Sequence, residues 1–192
     1  MKKRSYYIVN GITLYRVITA PLLLALIIFK QLDVFKWLLA CSFFTDSIDG
    51  FLARKYKVTS VFGAKLDSIG DDLTVLAGLV GIVVFKPEFL KRELVLIIFL
   101  LALFAAQVIY ALVKYGKITT FHTYAAKLSA ILQGTFLILL FFLPEPLYIL
   151  FYLAAITTTY DLIEEIILVF VLPKPIENVK GLYWVMKAKN TG

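Results

Sequence analysis

The sequence is short of cysteine, of charge and of anything repetitive. Cys41 is the one cysteine in 192 residues, so no disulfide can form within the chain. Charged residues make up 17% of it. The basic ones sit mostly in short stretches between apolar runs, and no soluble domain of useful size remains outside those runs. No low-complexity segment and no internal repeat is evident, which sets aside repeat architectures. The basic start MKKRSYY is followed by no A-x-A-like site, so it is not read as a cleaved signal peptide. The apolar run from TLYRVITA to LIIF is long enough to span instead.

What the chain does have is hydrophobic length. It is 61% hydrophobic, against about half or less in soluble domains. Runs of roughly 18 apolar residues or more read as membrane spans, because about 20 helical residues cross the hydrocarbon core. The expected fold is therefore all-α and integral to the membrane, a single membrane domain over 1–192. Six transmembrane helices are expected, near 13–29, 34–55, 63–85, 88–115, 123–143 and 146–172. Turn and helix-start chemistry separates them at KPE (86–88), YGK (115–117) and PEP (144–146). YYIVNG reads as a short interfacial segment before the first span. NVKGLYWVMKAKN reads as an interfacial tail, with Tyr183 and Trp184 at headgroup level.

Net charge is +7, which on its own is compatible with nucleic acid. The positive charges lie in the short loops, however, and follow the positive-inside pattern. Twelve Lys and Arg fall on the side holding both ends and five on the other. No nucleic-acid partner is expected. The expected location is the cell (cytoplasmic) membrane, with the ends and the functional site on the cytoplasmic side.

One stretch breaks the apolar pattern. FFTDSIDGFLARKYKVTSVFGAKLDSIGDDLTV, from Phe43 to Val75, carries five aspartates. A helix turns about 100° per residue, so Asp46, Asp49, Gly50, Ala53 and Arg54 share one stripe of the second helix. Gly63, Asp67 and Asp71 follow at i, i+4 steps on the third. The loop between is short, so the helices are antiparallel neighbours and four carboxylates converge. They cannot all be ionised and unpaired in a low-dielectric site, and Arg54 supplies only one positive charge. An all-carboxylate set suits Mg²⁺ or Mn²⁺ better than zinc. Two such ions would balance it and suit in-line displacement at phosphorus. The small residues leave room either for close helix packing or for a flat base and a pyrophosphate. Intramembrane acids also serve proton and ion pathways, so a cation-coupled transporter competes with a metal-dependent transferase.

The spacing separates the two. From Asp46 to Asp71 the chain reads D-x2-D-G-x2-A-R-x8-G-x3-D-x3-D, with eight fixed positions in 26 residues. This resembles the signature of the CDP-alcohol phosphatidyltransferase family without a mismatch. NGITLYR is similar to the N-x2-T-x2-R segment that precedes it there, through Asn10, Thr13 and Arg16. The resemblance implies transfer of a phosphatidyl group from CDP-diacylglycerol to a small polar alcohol, with release of CMP, in a membrane homodimer. It implies Asp46, Asp49 and Asp67 as principal metal ligands. Asp71 would lie at the same metal site and act as the base on the acceptor hydroxyl. Asn10, Thr13, Gly50, Ala53, Arg54 and Gly63 match positions around the cytidine diphosphate.

For the acceptor, size suggests glycerol-3-phosphate. The usual continuation in that branch is LDPxADK. This chain has LDSIGDD, with Ser68 and Asp72, and an LDS start resembles serine- or inositol-type branches. Arg16, Lys117 and Lys127 are the candidate acceptor or phosphate contacts, although Lys117 also reads as a topology residue and Lys127 can snorkel. His122 reads as a helix-start residue rather than a catalyst. Asp161, Glu164 and Glu165 in the sixth span read as structural, paired with Lys127 or Arg16. Asp72 points off the metal stripe, towards Lys65 or a supporting role.

Overall fold

A computed structural model describes residues 18–56, 61–119, 121–176 and 179–190; the side chains at 46–56, 61–69, 71–72 and 189–190 lie outside that description. Every regular element among the described residues is a helix. They are α1 (Ile18–Ile28), α2 (Leu32–Tyr56), α3 (Val61–Phe85), α4 (Pro87–Tyr115), α5 (Tyr124–Phe142), α6 (Tyr148–Val171) and α7 (Leu182–Asn190). The expected boundaries of the second to sixth spans fall within a few residues of α2 to α6. The expected interfacial tail contains a helix of its own, α7. The N-terminal YYIVNG lies outside the described residues.

Helices α2 to α6 run from 19 to 29 residues. At 1.5 Å per residue they reach about 28 to 44 Å, enough to match a hydrocarbon core of about 30 Å. Among the described residues, α4 and α5 each hold a stretch long and apolar enough to cross a membrane. In α4 the apolar side chains are mostly exposed, with Val95 at 82% and Val113 at 79%. A soluble core helix would bury them, whereas lipid accepts them. In α6 the apolar run is interrupted by Asp161, Glu164 and Glu165.

The chain divides into two compact units, Met1–Lys91 with Phe141–Pro144, and Arg92–Leu140 with Glu145–Gly192. In the first unit, α1 ends in a tight reversal. Lys30 N–H donates to Ile27 O and Gln31 N–H to Leu26 O, with Lys30 at φ 54°. This is the paired-bond helix ending usually built on glycine. Gln31 O then accepts the Phe35 N–H and opens α2. Asp33 in the first turn of α2 complements the helix dipole, and Lys36 donates to it at 2.6 Å. Downstream, the fully buried Phe35 ring packs on Phe85 and Phe141, with centroids 5.2 and 5.0 Å away. Lys86 Nζ donates to Leu143 O and Pro144 O, satisfying carbonyls left free where α5 ends.

Gly81 is what lets α3 meet that ring. A Cβ there would lie 2.7 Å from Phe35 Cζ and 3.1 Å from Phe141 Cζ. Both rings are held on several sides and cannot simply swing away. Gly81→Ala is expected to destabilise the protein by about 1–3 kcal/mol, the usual range for overpacking a core. The measurement is the thermal midpoint in detergent; an unchanged midpoint would mean that Phe35 repacks freely.

The second unit is tied by side chains reaching between its helices. Near the start of α4, Glu93 accepts from the Tyr152 hydroxyl at 2.8 Å. Arg92 covers the Tyr148 ring at 4.1 Å. At the other end of α4, Lys114 Nζ donates to Val169 O and Phe170 O, and the Tyr115 hydroxyl to Val169 O and Leu172 O. These carbonyls close α6 and have no partner within the helix. Beneath them lie buried Ala111, Phe121, Leu168, Val169, Leu172 and Val179. Thr123 caps α5, its Oγ1 accepting the Ala126 N–H at 3.0 Å. His122 stands just before it at φ 52°, the helix-start position expected of it.

Candidate active site

The acid-bearing stretch lies on two consecutive helices of the first unit. Asp46, Asp49, Gly50, Ala53 and Arg54 fall within α2, and Gly63, Asp67 and Asp71 within α3. The helix is unbroken through each set, so the i, i+3 and i, i+4 spacings keep each set on one stripe. Helices α2 and α3 pack on each other. Phe35 in the early part of α2 meets Gly81 and Phe85 in the late part of α3, so the two run antiparallel.

That contact also sets the register. Asp49 lies as many residues beyond Phe35 as Asp67 lies before Gly81, about 21 Å along each helix. Asp46 and Asp71 are likewise level to within one residue. The backbone thus pairs Asp49 with Asp67 and Asp46 with Asp71 at two levels about one helical turn apart on one helix pair. Their side chains are outside the described residues, as are those of Arg54, Lys65, Ser68 and Asp72. Asn10, Thr13 and Arg16 lie outside the described residues altogether. Just beyond the acids on α3, buried Thr74 returns its hydroxyl proton to Gly70 O at 2.8 Å.

The donor chemistry of the stripe fits hard divalent cations, because all four positions are carboxylates and none is His or Cys. Among the described residues no group of three or more His, Cys, Asp or Glu is placed to hold a metal ion. Asp161, Glu164 and Glu165 are among the described residues. Their partners differ from those expected. Asp161 Oδ2 accepts from Ser129 at 3.1 Å, with the Thr123 hydroxyl adjacent. Glu165 accepts from Gln107 Nε2 at 2.8 Å and from the Phe121 N–H at 3.5 Å. Glu164 Oε1 accepts the Leu182 N–H at 2.9 Å and so caps α7. None of these acids pairs with Lys127 among the described residues. Neutral donors deliver a hydrogen bond inside a bundle without a second desolvated charge. The partial signal for this was the presence of Gln107 and Ser129 in otherwise apolar runs.

Lys127 is exposed in the first turn of α5, with Nζ 5.7 Å from the Tyr124 ring centroid. Lys117 is exposed in the loop between α4 and α5. Both belong to the second unit.

Apolar helices of membrane-crossing length and an acid-bearing antiparallel pair set the class: a helical, membrane-associated protein. The family model described as CDP-alcohol phosphatidyltransferase matches residues 6–160, and the chain belongs to that family. It is similar to the CDP-diacylglycerol--glycerol-3-phosphate 3-phosphatidyltransferase of Haemophilus influenzae, 37% identical over 82 residues, which cover 41% of this chain and 44% of that protein. It is also similar to the CDP-diacylglycerol--inositol 3-phosphatidyltransferase of Saccharomyces cerevisiae, 41% identical over 66 residues, 34% of this chain and 30% of that protein. The same glycerol-3-phosphate enzyme of Wigglesworthia glossinidia brevipalpis is 47% identical over 45 residues, 23% of this chain and 25% of that protein. The chain thus matches less than half the length of each of these relatives. No solved structure gives a significant match.

Proposed function

We propose that this protein transfers a phosphatidyl group from CDP-diacylglycerol to a small polar alcohol and releases CMP. What supports this reading is the spacing of Asp46, Asp49, Asp67 and Asp71 on two neighbouring antiparallel helices, inside the stretch that matches the family. In this reading the four aspartates hold two divalent cations, Mg²⁺ or Mn²⁺. Bound there, the cations would neutralise the pyrophosphate and the departing CMP.

The chain's own residues divide the rest. Asp71 takes the proton of the acceptor hydroxyl, which is a poor nucleophile until deprotonated. The freed oxygen attacks the diacylglycerol-linked phosphorus in line. A new P–O ester bond forms as the P–O bond to CMP breaks. Arg54 offsets the charge that develops on CMP. Asn10, Thr13, Gly50, Ala53 and Gly63 enclose the nucleotide, and Arg16 contacts a phosphate. Six spans with the site at the cytoplasmic face, and a homodimer, complete the proposal. A site in the membrane suits a donor whose acyl chains stay in lipid while its headgroup reacts.

Glycerol-3-phosphate is the proposed acceptor. Two of the three relatives named above act on it, and the third carries the inositol name. LDSIGDD keeps serine and inositol or inositol phosphate in the comparison. The deciding experiment gives the purified protein CDP-diacylglycerol with each acceptor in turn and identifies the lipid product by mass. Glycerol-3-phosphate is expected to yield phosphatidylglycerophosphate. A product from serine or inositol instead reassigns the acceptor, and no CMP release with any of them overturns the reaction.

A further inference from the structure

In the second unit, the last turns of α4 and α6, the start of α5 and helix α7 meet at one end. Val179 N–H donates to Phe121 O and Tyr124 N–H to Lys180 O, so the segment before α7 is laced to the start of α5. Leu182 and Val185, on one face of α7, pack on the buried cluster that includes Leu168 and Val169. Nine residues of helix do not hold in water alone, so this docking is what keeps α7 formed. The charges at this end are sorted by sign. The acids bond inward: Glu164 to the Leu182 N–H, Asp161 to Ser129 and Glu165 to Gln107. Lys114, Lys117, Lys127, Lys174, Lys180 and Lys187 are exposed, and none of the acids described there is. The outer face of α7 carries Tyr183 and Trp184, 67% and 45% exposed. Lys187 lies between them around the helix, within an arc of about 100°. The Trp184 ring meets Tyr124 edge-on at 5.6 Å and borders an apolar groove that continues past Leu128 and Ile156 of α5 and α6.

We propose that the outer face of α7 and the lysines around it bind the headgroups of anionic phospholipids, with Tyr183 and Trp184 seated among those headgroups. Charge selects the partner. Exposed lysines with no exposed acid beside them attract a negative surface, and each lysine near an anionic bilayer contributes a factor of about five. A zwitterionic lipid meets the same rings but brings no net charge to the lysines. Continuity with the apolar surface makes the partner a lipid rather than a soluble polyanion. Tyr and Trp rings suit the headgroup level, and from Trp184 the apolar groove leads along α5, a helix of membrane-crossing length. Acyl chains cover that track, which a nucleic acid or an acidic protein would leave bare. Lys174, Lys180, Trp184 and Lys187 lie beyond residue 160, where the family match ends. The proposal does not depend on the reaction assigned above.

Trp37 and Trp184 are the two tryptophans, so Trp37→Phe leaves Trp184 as a single reporter on α7. The full-length W37F protein is reconstituted in bilayers with increasing fractions of bromine-labelled phosphatidylglycerol, phosphatidylserine or phosphatidylcholine, and quenching is read. Both anionic lipids are expected to half-quench at a mole fraction about fivefold lower than phosphatidylcholine. Raising the salt from about 0.1 M to about 1 M shortens the screening length from about 10 Å to about 3 Å. It is expected to bring the three lipids within about twofold of one another. K180A/K187A removes the exposed lysines on either side of Trp184 in the chain and is expected to do the same without added salt. K91A removes an exposed lysine at the far end of α4, about 35 Å along that helix from Lys114, and is expected to leave the preference intact. Equal quenching by the three lipids overturns the proposal. So does a preference for only one of the anionic headgroups, one that survives either high salt or K180A/K187A, or one that K91A also removes. If the double variant fails to fold, the lipid comparison and the salt titration still decide it.

Discussion

Asp71→Asn is expected to lower CMP release from CDP-diacylglycerol by about 10²–10⁴-fold, the usual contribution of a positioned general base. The amide is nearly isosteric but cannot accept the hydroxyl proton. Nucleotide binding is expected to persist, because Asp46, Asp49 and Asp67 remain on their stripes and Arg54 is untouched. Single-turnover CMP release and equilibrium binding of a CDP analogue separate the two effects. An active Asp71→Asn enzyme would remove the base assignment. Loss of binding together with turnover would instead make Asp71 chiefly a ligand-holding residue.

Chelation is expected to have the other large effect. Four carboxylates within about a turn of one another on one helix pair repel unless protons or cations neutralise them. Removing divalent ions with EDTA should therefore take CMP release to background, and Mg²⁺ or Mn²⁺ should restore it. The protein's thermal midpoint should also fall on chelation, because an ion bound only by the folded state stabilises that state. Full activity after rigorous chelation would end the metal-dependent mechanism and leave Arg54 as the only positive charge assigned to the stripe. An inactive protein with an unchanged midpoint would place the metal on the substrate rather than on the apo site.

Much of the helical framework was legible in the chain. The apolar runs and their turn chemistry place α2 to α6 within a few residues, because helix length and hydrophobic length are local properties. The acid stripes follow from helical periodicity alone. The contacts of the sixth helix were not legible in the same way. Asp161, Glu164 and Glu165 were expected to meet a cation, and they meet Ser129, the Leu182 N–H, and Gln107 with the Phe121 N–H. These partners lie 18 to 58 residues away along the chain. Nothing in the local pattern ranks a neutral donor against a lysine at a similar distance along the chain.

The sequence by itself therefore determined the all-helical class, the family and the spacing of the aspartates. Each depends on residues close together in the chain and on the fixed turn of a helix. Only the tertiary structure decided the register, through Phe35 seated against Gly81, which sets Asp49 level with Asp67. It also decided that α7 docks on Glu164, whose Oε1 accepts the Leu182 N–H. Both are matters of which surfaces meet, and that is settled by packing volume and by the pairing of buried polar atoms across the fold.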